Sequence, residues 1–249
     1  MENEDQKLQE IRQLKSLLEA EKQEFLSVMS HELRTPMTGV KGYLSMVLEG
    51  DVGEISPRVR EYLAQAYVAN DHLVRLVERL LKIAQIQEKK FQFNLGKIDL
   101  STQVQQVIND CQLRAQEKKI ELIYEPAGNF FVLGDPDRTR EVLLTMVINA
   151  IKFTNTSGKI KVTHRRTPNW IITDVTDTGI GIKKEDQERL FELFAKANLT
   201  LTGQERGTGV GLYLARHLAE GQQGRLWLEH SEKGIGSTFS FALKEFEGN

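Results

Sequence analysis

The sequence predicts a multidomain chain, α followed by α+β: a helical hairpin that pairs with a second copy into a dimeric four-helix bundle, then an α/β two-layer sandwich. Two observations carry that prediction. Residues up to about 89 place apolar side chains at helical spacing, interrupted only by Gly50-Asp51-Val52-Gly53-Glu54-Ile55-Ser56-Pro57. After Lys90 the period changes, and short runs that alternate like strands are interleaved with helical ones. A length of 249 residues suits this division, being enough for two modest domains.

The first element is a lead-in over residues 1–22. Ile11, Leu14, Leu18, Phe25 and Val28 fit positions a and d of a heptad, with Glu21 breaking one d, and predict a short parallel coiled coil. The helix is expected to continue to Glu49, with Phe25, Met29, Leu33, Val40, Leu44 and Val47 in one stripe. Gly50 to Pro57 then reads as a turn, with Ser56 as N-cap and Pro57 at the first helical position. A second helix over 58–89 carries Val59, Tyr62, Ala66, Ala69, Leu73, Leu76, Leu80 and Ile83, and Leu63, Val77, Leu81 and Ala84 widen its stripe. Two helices cannot cover so wide a face, so the hairpin, residues 23–89, is expected to form a homodimer. The competing reading packs that face on the carboxy-terminal half of the same chain.

Residues 90–97 are expected to be a hinge that leads into the first strand, Phe91-Gln92-Phe93-Asn94-Leu95. The second domain then covers 98–249. Ser101 to Lys118 reads as a helix, Ile120–Glu125 and Phe130–Leu133 as short strands, and Asp135 to Phe153 as a strongly periodic helix. Strands follow at 159–165 and 170–176, joined through Thr167-Pro168-Asn169. The segment 183–194 looks helical, 195–206 is polar and weakly patterned, and Thr208 to Gly221 is a helix. Arg225–His230 and Ser237–Leu243 close as a hairpin.

Composition excludes several classes. A net charge of −2 gives no reason to expect a nucleic-acid partner. No apolar run reaches the ~18 residues of a membrane span, and the polar start, Met1 to Gln9, is no secretory signal. The single cysteine, Cys111, has no internal partner, which suits a reducing cytoplasm.

Chemistry gathers in three stretches. In Ser30-His31-Glu32-Leu33-Arg34-Thr35-Pro36, His31 falls roughly 160–200° from the middle of the apolar stripe, on a polar surface. Pro36 should kink the helix one turn on, leaving an exposed imidazole that a second group can approach. Asn149 and Lys152, spaced to share one helix face, offer a hard amide oxygen for Mg²⁺ and a point cation for phosphate. Asp177-Thr-Gly179-Ile-Gly181 follows a strand, and Gly207-Thr208-Gly209-Val-Gly211 opens a helix. Their glycines permit close backbone approach, and the helix start attracts phosphate. No strand directly precedes the second glycine box, which argues against a dinucleotide fingerprint, and there is no G-x-x-x-x-G-K-[ST].

Ser30 to Pro36 resembles the phospho-acceptor box of two-component sensor histidine kinases. The Asn149, Asp177 and Gly207 boxes, in this order, resemble the GHKL ATPase fold shared by those kinases, gyrase, certain ATP-driven chaperones and mismatch-repair ATPases. The resemblance covers roughly residues 20–245. It implies a cytoplasmic kinase core that uses ATP and Mg²⁺, phosphorylates His31 and relays the phosphoryl group to an aspartate of a separate response-regulator receiver domain. It assigns Mg²⁺ to Asn149, phosphate to Lys152, the adenine amino group to Asp177 and a place beside adenine to Phe153. Gly179, Gly181, Gly207, Thr208, Gly209 and Gly211 complete the nucleotide site, and Thr238 reaches its adenine end. Leu190 to Phe194 resembles the box before a lid at 195–206. Glu32 would take the proton from His31, and Thr35 would support dephosphorylation of the regulator. An upstream sensor domain is implied and absent from the chain. Thr145 stands where many members carry a second asparagine. The competing readings are an ATPase clamp without phosphohistidine and a nucleotide-binding scaffold without chemistry.

Overall fold

The structure, a computed structural model, describes residues 2–87, 91–126, 128–195 and 208–246; within 2–31 it describes side chains only at Gln9, Gln13, Leu14, Leu17, Glu21 and Val28. The chain divides into two compact units, Met1–Phe91 and Gln92–Asn249.

The first unit is a hairpin of α1 (Glu2–Glu49) and α2 (Pro57–Gln87). Helix α1 runs on through Pro36. Gly50 and Gly53 take left-handed φ values of 96° and 100° in the turn, where a side chain would be strained. The Ser56 hydroxyl accepts the N–H of Val59 at 3.3 Å, capping α2 as its sequence foretells. Polar ties set the pairing of the helices: Lys41 Nζ donates to Asp71 at 2.6 Å, and Asn70 Nδ2 to the carbonyl of Met37 at 2.9 Å. Leu33, Val40, Val59, Tyr62 and Leu73 of the expected stripes are exposed on the single chain, as are Leu14 and Val28 of the heptad. The side chains of Ile11, Leu18 and Phe25 lie outside the described residues.

The second unit is a sheet covered by helices. Its elements are β1 (Gly96–Asp99), α3 (Leu100–Glu117), β2 (Glu121–Tyr124), β3 (Phe131–Gly134), α4 (Pro136–Phe153), β4 (Lys159–Thr167), β5 (Trp170–Asp177), α5 (Lys184–Gln187), α6 (Gly211–Gly221), β6 (Arg225–Glu232) and β7 (Gly236–Glu245). The strand order is β1-β3-β7-β5-β4-β2, with β6 also on β7. One edge of β7 pairs throughout with β5, so β6 and β3 share its other edge, β3 meeting only Lys244 and Glu245. The β2–β4 pair is parallel and the other described pairs are antiparallel. Period-two alternation puts Ile171, Thr173, Val175 and Asp177 on one face with Ser237, Phe239, Phe241 and Leu243, and all are buried. Val104, Val107 and Ile108 of α3, Val142, Leu143, Met146 and Val147 of α4, and Leu214 and Leu218 of α6 complete this core.

Four boundaries depart from the sequence reading. Phe91 to Leu95 forms no strand; the first strand starts at Gly96, because Asn94 gives its N–H to the Asp135 carboxylate at 2.9 Å instead of to a neighbouring strand. Of 183–194 only Lys184–Gln187 is helical, since Phe194 turns to a left-handed φ of 64° and donates its N–H to Gly209 at 3.0 Å. Helix α6 begins at Gly211 and not at Thr208, because Gly209 has a left-handed φ of 72°. The β4–β5 turn shortens to Pro168 and Asn169, with Asn169 at φ 65°.

A half-buried polar group lies between sheet and α3. One ring nitrogen of His164 meets the Tyr124 hydroxyl at 2.9 Å, the other the Thr173 hydroxyl at 3.0 Å, with the Phe130 ring centred 4.7 Å away. Burial holds the imidazole down at about 4 from its usual 6.5, so it is neutral in the native state. The native state therefore binds fewer protons than the unfolded chain, and stability from His164 is lost as pH falls from 6.5 to about 4. His164→Gln is expected to flatten the acid limb of a urea-unfolding pH series by about 2–3 kcal/mol. An unchanged limb would contradict this assignment.

Candidate functional site

The nucleotide-type motifs converge at one end of the second unit. Asp135 accepts the N–H groups of Asp137 and Arg138 at 3.0 and 3.1 Å and starts α4, with Pro136 in its first turn. The buried stripe of α4 leaves Thr145, Asn149 and Lys152 half-buried on its flank, spaced to share a face. That flank looks toward the start of α6, where a Cβ on Gly211 would lie 3.7 Å from the Thr145 methyl. The Thr145 hydroxyl is turned back on its own helix, donating to the Glu141 carbonyl at 2.8 Å. Lys152 places its ammonium 5.0 Å from the centre of the Phe153 ring.

The Asp177 loop closes on the carboxy-terminal end of the same helix. Ile180 N–H donates to the Phe153 carbonyl at 3.1 Å, and a Cβ on Gly179 would stand 2.4 Å from that oxygen. Gly181, at φ 61°, passes so close to the β6–β7 turn that a Cβ would fall 1.9 Å from the Glu232 carbonyl. Gly209 likewise has no room, its Cβ position lying 2.6 Å from the Ala195 carbonyl. Thr208 and Gly209 form the turn before α6; Gly207 and residues 196–206, most of the expected lid, lie outside the described residues.

Asp177 is the electrostatic centre. Its carboxylate is 6% exposed and accepts the Gly179 N–H at 2.8 Å and the backbone N–H of Ser237. Burial dominates those two donors and pushes its pKa up to about 6 from 3.8. A buried acceptor with spare lone pairs is improved by one more N–H donor, which is what an exocyclic amino group supplies. Among the described residues no group of three or more His, Cys, Asp or Glu gathers as a metal site.

Thr238 does not belong to this site. It pairs with Thr176 across β7 and β5, their hydroxyls 3.0 Å apart, and alternation puts both on the sheet face opposite Asp177. The residue facing Asp177 is Ser237, buried and 2.9 Å from the Ser231 hydroxyl. Its signal in the sequence is the apolar alternation of Phe239, Phe241 and Leu243, which puts Ser237 inside. Lys118 carries no such signal: its ammonium binds the carbonyls of Ile151 and Lys152 at 3.2 and 3.0 Å, satisfying the end of α4 that carries Asn149.

In the first unit, His31 lies on helical backbone of α1, and its side chain is outside the described residues. Glu32 and Thr35 are exposed on that helix.

An open mixed sheet with helices on one face, and two glycine turns closing on an asparagine-bearing helix, define the class of ATPase found in histidine kinases, gyrase B and HSP90. Residues 134–247 match the family described as histidine kinase-, DNA gyrase B-, and HSP90-like ATPase, and residues 21–89 match the His Kinase A (phospho-acceptor) domain. The chain is 36% identical over 229 residues to the circadian input-output histidine kinase CikA of Synechococcus elongatus, covering 91% of this chain and 30% of that protein. It is 30% identical to the sensor histidine kinase WalK of Bacillus subtilis, covering 91% of this chain and 37% of that one. Among solved structures, full-length ShkA in complex with AMPPNP matches with a TM-score of 0.76 at 28% identity, over 90% of this chain and 47% of that one. The chain belongs to the sensor histidine kinases and carries their kinase core. It spans about a third of the length of these two curated relatives. Among the described residues no helix is long and apolar enough to cross a membrane.

Proposed function

We propose that this chain is the core of a longer cytoplasmic-facing sensor histidine kinase that moves the γ-phosphoryl group of ATP to His31 and on to a receiver aspartate of a separate response regulator. The observation that carries the reading is the buried Asp177 carboxylate, set between glycine turns in a chain that also bears a phospho-acceptor domain. Asp177 receives the adenine amino group, with Ser237 beside it, and Phe153 lines the base. Asn149 holds Mg²⁺, whose role is to neutralise phosphate charge, and Lys152 adds a point cation. Gly179, Gly181, Gly207, Thr208, Gly209 and Gly211 let the backbone approach the nucleotide.

His31 attacks as neutral imidazole, the form with a free lone pair on one ring nitrogen. Its ring nitrogen bonds to the γ-phosphorus, the bond to the β,γ-bridging oxygen breaks and ADP leaves. Glu32 accepts the proton from the other ring nitrogen. Thr35 supports the reverse use of the site, positioning water against the phosphorylated regulator. The exposed apolar side chains of the hairpin are covered by a second copy, giving a four-helix bundle continued by a coiled-coil lead-in.

Incubation of the full chain with γ-labelled ATP tests this. Acid-labile, alkali-stable label that disappears in His31→Gln, with nucleotide binding intact, is the expected result. ATP hydrolysis without protein label would favour the clamp, and binding without turnover the scaffold.

A further inference from the structure

The glycine at 221 is not there for its backbone. Its φ lies outside the left-handed range, and the left-handed residue that ends the helix is Gln223, at φ 61°. A glycine in helical conformation sacrifices helix propensity, so something else must require it. What it provides is room: a Cβ there would meet the Phe93 ring at 2.2, 2.5 and 3.0 Å from three of its carbons. Phe93 thus lies directly on α6 in a notch only glycine leaves open, and the next residue, Asn94, gives its N–H to Asp135 Oδ2 at 2.9 Å. The other oxygen of the same carboxylate caps α4. Gln222, buried, accepts from the Asp135 N–H at 2.8 Å and the Thr139 hydroxyl at 2.9 Å, and donates to the Leu218 carbonyl at 2.9 Å. The chain entering the second unit is therefore fastened to both helices at once.

Those helices carry the nucleotide motifs at their other ends: α4 runs 18 residues from Pro136, just past its Asp135 cap, to the Asn149–Phe153 end, and α6 runs back from Gly211 to the notch. An α4 of this length is a strut of about 27 Å. The expected hinge is thus part of the nucleotide domain from Gln92 onward. Resting on the kinase reading above, the geometry points to Phe93, seated on Gly221, as a positioning residue for phosphoryl transfer: it shortens the tether and couples the strut bearing Asn149 to the chain that leads from the His31 hairpin. Loss of the ring leaves the Asn94 N–H as the remaining tie, and release of both frees residues 92–95, adding about 13 Å of reach and diluting the presented γ-phosphate at its acceptor. Nucleotide binding, at the far end of the struts, would not change.

The test uses the full chain with Gly221→Ala and Phe93→Ala, alone and together, and with Phe93→Leu. Affinity for a fluorescent ATP analogue and the initial rate of His31 labelling at saturating ATP are measured. Gly221→Ala is a helix-favouring change, so a loss there cannot be put down to weaker helix formation. Expected are affinities within about twofold of wild type, labelling slowed about tenfold in either alanine variant, and partial retention in Phe93→Leu. The double variant should be no slower than the slower single one, because both remove one contact. Labelling at the wild-type rate in both single variants, rate and affinity falling together, or fully additive losses would each overturn the positioning role. Wild-type protein that binds the analogue but takes no label would overturn the kinase reading itself, a different outcome from labelled wild type with equally labelled Phe93→Ala.

Discussion

Asp177→Asn is expected to stabilise the protein while abolishing useful nucleotide binding. The carboxyl is raised from 3.8 to about 6, so the native state favours its protonated form. A group raised in this way contributes its full stability below pH 3.8 and loses it as pH rises through about 6. At neutral pH the ionised carboxylate therefore costs up to about 3 kcal/mol, which a neutral amide does not incur. The variant should exceed wild type by 1–3 kcal/mol (order of magnitude) in urea unfolding near pH 7, and the two curves should converge near pH 4. Binding responds in the opposite direction. With the Gly179 N–H held by the amide oxygen, the NH₂ takes the place of Oδ2 and presents a donor to the adenine amino group. Losing a hydrogen bond to a charged group costs about 1.5–3 kcal/mol, tenfold or more in Kd, and an opposed donor adds to that. Unchanged affinity for an ATP analogue would remove Asp177 from the site.

Gly181→Ala is expected to cost several times more stability than a methyl added at an open left-handed glycine of the neighbouring turn. The new Cβ would lie 1.9 Å from the Glu232 carbonyl and 2.5 Å from its carbon, both backbone atoms that cannot rotate away. An L side chain at φ 61° adds about 1–2 kcal/mol of backbone strain. Relief requires the β6–β7 turn to move, which breaks the bond from Gly234 N–H to the Ile180 carbonyl at 2.8 Å and that from Ile182 N–H to the Ser231 hydroxyl at 2.8 Å. Each is worth about 1 kcal/mol, so a total loss near 3–5 kcal/mol is expected in urea unfolding, with weakened nucleotide binding in what remains folded. Gly234→Ala is the control, since a Cβ there meets nothing within 4 Å although its φ of 84° is equally left-handed. Similar losses in the two variants would show that backbone strain alone is at work.

Much of the architecture was legible because local chemistry and tertiary need agree. Ser56-Pro57 and Asp135-Pro136 read as helix starts and are helix starts, because a capping oxygen and a missing N–H act within one turn. The long apolar period of α1 and α2 and the alternation of β5 and β7 likewise survive packing. Phe91 to Leu95 alternates as a strand should, yet a strand also needs a neighbour, and the Asp135 carboxylate took the Asn94 N–H first. Thr238 was misplaced by one residue, and with a period of two that carries a side chain to the other face of the sheet.

The sequence by itself determined the division into hairpin and sheet, and the order of the Asn149, Asp177 and Gly209 motifs, since periodicity and residue type are local properties. Only the tertiary structure decided that Ser237 faces Asp177, that Lys118 closes α4, and that Phe93 rests on Gly221. Each of those depends on which distant segment comes within a few ångströms, a matter of strand register and helix approach that no local window contains.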